Sequence, residues 1–370
     1  MPTTVQDHHI DAWKPWVALQ QARRVGPTHA LALAEAFNGD LDRAWHAPPA
    51  RIEALVGRRV AESIAQTRAS LDLDILATSI RDKGHQVIPF TDRRYPELLK
   101  ETSAPPLVLY VLGELTPEDG RAISVIGSRD STPYGREVAR QLAGDFAAAG
   151  VTVISGLARG IDGVAHEAAL QAQGRTVAVL GGSLDWIYPS EHRGLAARIC
   201  ERGALVSEYP TRTRPVPGNF RARNRIMAGM SVGVVIVEAR LRSGTLITAN
   251  YAAHYNRDVF AVPGSILSEA SEGCHQLIKD GAGLVRSAAD VLRDLQLGNA
   301  TPATNSDLDD LAISEIERVV FAALTAEPLH IDDLAADLEM PITDVATALM
   351  MLELLGRVRN TGAQHYARIR

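Results

Sequence analysis

Phe220-Arg221-Ala222-Arg223-Asn224-Arg225 places three guanidinium groups and an amide within six residues of a glycine-bearing chain. Arginine presents a planar fork of donors that grips phosphate oxygens, and glycine lets a backbone come close to an anion. The run lies between two segments that read as a strand entering a glycine turn, Ile123–Arg129 and Val234–Glu238, the latter followed by Ser243-Gly244-Thr245. This chemistry suits a polyphosphate ligand, which is either a nucleotide or a strand of nucleic acid.

Further clusters repeat the pattern of strand, polar glycine turn and helix. Gly127-Ser128-Arg129 offers turn amides and a helix start to an anion, with Arg129 adding charge. Taken alone it is also a tight turn, and it departs from the G-x-G-x-x-G fingerprint because the next glycine is Gly135. In Ser155-Gly156-Leu157-Ala158-Arg159-Gly160-Ile161-Asp162, Arg159 between two glycines is the candidate ligand, Asp162 reads as a helix cap and His166 as a buried core histidine. Gly181-Gly182 closes another strand ahead of Tyr188–Arg193, and Ser243-Gly244-Thr245 opens a further helix. Five such loops, the arginine run counted among them, are expected to converge on one edge of a sheet.

The elements that must position these residues alternate. Strands are expected at Val87–Phe90, Leu107–Leu112, Ala122–Ile126, Val151–Ile154, Thr176–Leu180, Ala204–Ser207, Val232–Val237, Asp258–Val262 and Leu284–Val285. Helices are expected at Tyr134–Ala149, Gly163–Gln173, Pro189–Arg202, Ser243–Asn256 and Glu272–Asp280. Apolar strands joined by helices predict an α/β fold, a doubly wound, mostly parallel Rossmann-like sheet that binds ligands at its carboxyl edge. Residues 1–70 read as a helical module of SAM or helix-hairpin-helix type, and residues 71–297 as the sheet domain. Polar, turn-rich residues 298–312 read as a linker, and 313–370 as a winged helix.

Charge is segregated along the chain. The net charge is −6, yet residues 121–225 hold 14 Arg against 9 Asp and Glu, and residues 313–370 hold 5 Arg against 9. The local surplus, rather than the sum, is what a polyanion meets. Only 4 of the 38 basic residues are lysine, which codon bias also explains. The two cysteines have no metal-ligand spacing and no metal is expected. With no membrane-length apolar run and no basic-then-apolar start, a cytoplasmic protein is expected.

In order and spacing the chain resembles the DprA/Smf family of DNA-processing proteins. The likeness rests on Tyr95-Pro96, Pro105-Pro106-Leu107, Gly127-Ser128-Arg129, Tyr134-Gly135, Ser155–Ala158 with Gly160-Ile161-Asp162, and Ala165-His166. It continues through Tyr188-Pro189, Ser207–Pro210, Arg223–Ile226, Val237–Ala239, Ser243-Gly244, Pro263-Gly264 and Gly281-Ala282, covering about residues 80–290. The resemblance implies a cytoplasmic homodimer that binds single-stranded DNA in a positive pocket and loads the RecA recombinase onto it during natural transformation. From the residues themselves, no cofactor and no catalytic residue is expected. Arg129 is then the foremost phosphate clamp, and Arg193 stands in for a basic residue near the Tyr-Pro turn. Two departures matter: Phe220-Arg221 replaces a usual Phe-Pro, adding charge, and His192 stands where Asn is usual. The expected single-strand site comprises Gly127, Ser128, Arg129, Gly156, Arg159, Gly160, Gly182, Arg193, Arg221, Arg223, Asn224, Arg225, Ser243, Gly244 and Thr245. Arg223 or Arg225 is alternatively expected to pair with Glu238.

Enzyme readings find less support. A nucleoside-phosphate hydrolase of the LOG-like type needs a glutamate soon after its glycine loop, and Ser243–Thr248 supplies none. No lysine follows a glycine-rich loop as a Walker A motif requires, and the dinucleotide fingerprint is missing. A sequence-specific regulator would read DNA through the third helix of the winged module, but residues 343–355 contain Asp344 and Glu353 and no Lys or Arg. That module is expected to dock protein or support the dimer.

Overall fold

The computed structural model describes residues 12–297 and 314–368, apart from residues 326, 356 and 363. The chain forms two compact units divided at residue 300. The linker expected at 298–312 lies outside the described residues.

The larger unit begins with α1 (Lys14–Gln21), α2 (Pro27–Ala36), α3 (Leu41–His46), α4 (Pro49–Val56), α5 (Arg58–Ser70) and α6 (Leu73–Asp82). Their buried Val17, Leu19, Leu33, Trp45 and Ile64 share one core with Val108, Tyr110 and Leu205 of the sheet. Gln20 fixes the contact, donating to the Glu208 carbonyl at 2.8 Å and accepting from the Tyr110 hydroxyl at 2.9 Å.

The sheet consists of β1 (Gln86–Pro89), β2 (Val108–Gly113), β3 (Ala122–Ile126), β4 (Thr152–Ser155), β5 (Thr176–Val179), β6 (Ala204–Ser207), β7 (Gly233–Ile236), β8 (Asp258–Ala261) and β9 (Gly283–Leu284). Their order is β1-β2-β6-β5-β4-β3-β7-β8-β9. From β6 to β9 all neighbours are parallel, while β1 and β2 add an antiparallel edge. Strand residues point alternately to opposite faces, so Ile123 and Val125 join one core and Ile126 the other. After α7 (Glu97–Lys100), the first of these cores receives α8 (Pro133–Ala148) and α9 (Ile161–Gln171). α10 (Arg193–Arg202) packs on the core shared with the N-terminal helices. The opposite face receives α11 (Pro217–Met230), α12 (Thr245–His254) and part of α13 (Glu272–Lys279), and α14 (Ala288–Asp294) returns to the α8 side.

This is the doubly wound, mostly parallel sheet that the alternation predicts, with Ala122–Ile126 and Ala204–Ser207 at the expected bounds. One expectation is corrected. The arginine run is not a loop but the middle of α11, a 14-residue helix with Pro217 in its first turn. Proline's fixed φ suits a helix start, and the apolar stripe Ile226, Met227 and Met230 gives the helix a face to bury.

The smaller unit packs α15 (Glu315–Ala323), α16 (Ile331–Asp337) and α17 (Ile342–Leu354) with β10 (Leu329–His330), β11 (Val358–Gly362) and β12 (His365–Arg368). The strand order is β10-β12-β11, the three-helix and wing arrangement that the sequence predicts. Ser314 and Glu317 form a capping box at the start of α15.

Candidate nucleic-acid interface

The strand order reverses its direction of growth between β3 and β7. Loops leaving the two strands part to opposite faces there, which leaves a crevice at the carboxyl edge. Five segments enclose it. They are Gly127–Asp130 after β3, Ala158 and Asp162 at the start of α9, Tyr188 after β5, α11 from Pro217 to Met227, and Ser243–Thr248 at the start of α12. The cavity measures about 610 Å³.

The loops are tied to one another. Thr245 donates from its hydroxyl to the Gly127 carbonyl at 3.2 Å, and the Ile161 amide donates to the Ser128 carbonyl at 3.2 Å. Asn224 donates to the Gly244 carbonyl at 3.3 Å. Ser243 accepts from the Thr245 amide, which closes the turn ahead of α12. Gly160 has φ +74°, and a Cβ there would lie 2.3 Å from the Ser128 carbonyl oxygen. Only glycine permits that contact.

The mouth is cationic and aromatic. The Arg129 guanidinium stands 5.3 Å from the Phe220 ring centroid, and Phe220 packs on Tyr188 at 5.6 Å. Arg129 and Arg221 are exposed, as is Tyr188. The floor differs. Arg223 is 3% exposed and donates to the Val179 carbonyl, with its Nε buried and unpartnered among the described residues. Burial lowers its pKa to about 10, against the pull of nearby Asp162. Burial likewise pushes the Asp162 carboxyl up, with Arg223 opposing. Asp162 accepts from the Ala158 amide at 3.4 Å, so it braces the loop before α9. Gly156 forms the wall behind Arg223, since a Cβ there would lie 2.2 Å from Nη1.

The structure therefore brings Gly127, Ser128, Arg129, Arg221, Arg223, Asn224, Ser243, Gly244 and Thr245 to one cavity. Six expected residues do not line it. Gly156 stands behind Arg223, Gly160 beneath the Arg129 loop, and Gly182 is buried against Pro215. Arg159 leans outward onto Glu191 at 2.6 Å, and Arg193 is exposed at the start of α10. Arg225 is turned away by the helix and held in an ion pair with Glu208. The expected partner Glu238 is engaged elsewhere: it accepts from the Thr132 amide at 3.0 Å and from the Thr132 hydroxyl. Tyr188, Asp162, Met227 and Thr248 line the cavity but were not among the expected site residues. The helical spacing of Phe220, Asn224 and Met227 is the signal that would have grouped the α11 contributors.

A family model described as DNA recombination-mediator protein A matches residues 86–296, and one described as DprA winged helix domain matches residues 300–363. Protein Smf from Synechocystis sp. is 34% identical over 390 residues, which cover 95% of this chain and 98% of that protein. The solved structure of DNA processing protein A from Streptococcus pneumoniae has a TM-score of 0.68 and 34% identity, over 76% of this chain and 97% of that one. A structure described as giving insights into the unique single-stranded DNA binding mode of DNA processing protein A from Helicobacter pylori has a TM-score of 0.52 and 29% identity. It covers 58% of this chain and 96% of that chain.

Proposed function

Because the chain belongs to the DNA recombination-mediator protein A family, known as DprA or Smf, we propose that the crevice between β3 and β7 binds single-stranded DNA. The observation that carries this reading is Arg129 stacked on Phe220 at the mouth of a cavity also lined by Arg221 and Arg223. Exposed Arg129 and Arg221 take backbone phosphates, helped by turn amides around Gly127 and Gly244. Tyr188 offers an exposed ring on which an unpaired base stacks, a contact worth about 1–3 kcal/mol per base. Duplex DNA keeps its bases stacked internally and cannot use that surface. Arg225, held by Glu208, supports α11 rather than DNA.

The reading extends to a binding protein rather than an enzyme, one that coats incoming single strands and loads RecA during natural transformation. It works as a homodimer in the cytoplasm, with residues 1–70, 71–297 and 313–370 acting as helical, DNA-binding and winged-helix modules. No helix among the described residues is long and apolar enough to cross a membrane.

Fluorescence titration of a labelled oligodeoxythymidine tests this, with duplex DNA and nucleoside monophosphates as competitors. Saturable, salt-sensitive binding that duplex displaces poorly is expected. Retention of no oligonucleotide even at low ionic strength, or release of base from the monophosphates, would end the proposal.

A further inference from the structure

A second groove of about 440 Å³ runs between α8 and the start of α10, with α9 as its floor. It adjoins the crevice, because Gly160 lines the groove while pressing on the carbonyls of Ser128 and Arg129. One wall carries Arg136 and Arg140, four residues apart on α8 and both exposed. Arg136 donates to the Ser131 carbonyl, which places its stem beside the Arg129 loop. The other wall carries Glu191 and Glu167, each already paired, with Arg159 and Arg198 respectively, at 2.6 Å. Arg140 is paired with Glu137 in turn, so of these four arginines Arg136 alone has no carboxylate partner among the described residues, a surplus of one positive charge.

We propose that this groove is the continuing track of the bound strand, which leaves the crevice across the Arg129 loop and lays its next phosphates against Arg136 and Arg140. The inference rests on the single-strand reading of the crevice. Three features carry it. The groove adjoins the crevice across the contact of Gly160 with the Arg129 loop, so a strand held at Arg129 has that loop alone to cross. Its floor on α9 carries Val164, Ala168 and Gln171, with no aromatic ring to block a backbone laid along it. Two guanidinium groups one helical turn apart advance by about 6 Å, so each can meet a different phosphate of an extended strand.

The test compares a three-nucleotide with a twelve-nucleotide oligodeoxythymidine on the full chain, by fluorescence anisotropy across a salt series. The short strand fills the crevice alone, and the long one also enters the groove. The double variant Arg136→Ala with Arg140→Ala is expected to bind the short strand as the parent does. For the long strand its log affinity against log salt slope should shrink by about 1.4, two phosphate contacts at about 0.7 each. Arg136→Lys with Arg140→Lys should restore the slope, since only charge is required. If the alanine variant treats both lengths alike, whether unchanged or equally weakened, the groove is not on the track. If the parent binds neither oligonucleotide, the crevice reading itself fails and takes this inference with it.

Discussion

Arg221, Arg223 and Arg225 stand two residues apart and carry the same charge, yet one helix gives them three environments. Arg221 is exposed at the mouth, Arg223 is buried in the floor, and Arg225 is tied to Glu208. Their substitutions should therefore differ in kind. Arg129 is exposed beside Arg221, so Arg129→Ala should leave the melting temperature unchanged. It should weaken oligonucleotide binding about tenfold, the loss of one charge-assisted hydrogen bond of roughly 1.5 kcal/mol. The salt slope should fall by about 0.7; unchanged affinity and slope would remove Arg129 from the site. Arg225→Ala should do the reverse. It strands a carboxyl that burial already pushes up, and urea melts should show a loss of about 3 kcal/mol with the salt slope preserved. His166 adds a pH dependence. Thr176 spends its hydroxyl proton on the Val153 carbonyl, so it accepts from His166 Nδ1 at 2.7 Å, and the buried Nε2 has no partner among the described residues. Burial lowers the imidazole pKa to about 3, whereas the unfolded chain takes up that proton near the ordinary value of 6.5. Stability is then complete above 6.5 and is lost as pH falls through the window towards 3. Denaturant melts between pH 7 and 4 should show the decline, and His166→Asn should flatten it.

The elements matter because they convert local sequence into loop placement. Gly160 is the joint on which the β3 and β4 loops meet. Gly160→Ala would impose a backbone conformation that L side chains rarely adopt and press a methyl onto two carbonyl oxygens, at 2.3 and 2.6 Å. About 2 kcal/mol of stability should be lost. Single-strand affinity should fall as well, because the Arg129 loop has to move. A variant that melts and binds like the parent would show that this joint is not rigid. Helix α11 makes the same point from the other side. Read as a loop, its arginines all seem available; as a helix, a period of 3.6 sends Arg223, Asn224 and Met227 inward and Arg221 outward. The pattern was legible, since Pro217 marks a helix start and Phe220, Asn224 and Met227 follow at helical spacing.

At the scale of the whole molecule, charge separates the two units. The basic surplus belongs to residues 121–225, while α17 of the smaller unit exposes Asp344, Thr347, Met350 and Glu353 and contains no Lys or Arg. A chain ending at Leu297 is therefore expected to keep the oligonucleotide affinity and salt slope of the full protein, and a lower slope would assign phosphate contacts to the smaller unit. The alternation of strands and helices, the glycine turns, the winged helix and the arginine-rich segment could all be read along the chain. Each is a property of neighbours within a few residues, where periodicity and turn chemistry act. The division of labour among the arginines could not be read in that way. Arg223 meets the Val179 carbonyl 44 residues away and Arg225 meets Glu208 17 residues away, partners delivered by β5 and β6. Which guanidinium is left for a phosphate was decided only when the sheet closed, because burial and ion pairing depend on what distant strands bring alongside.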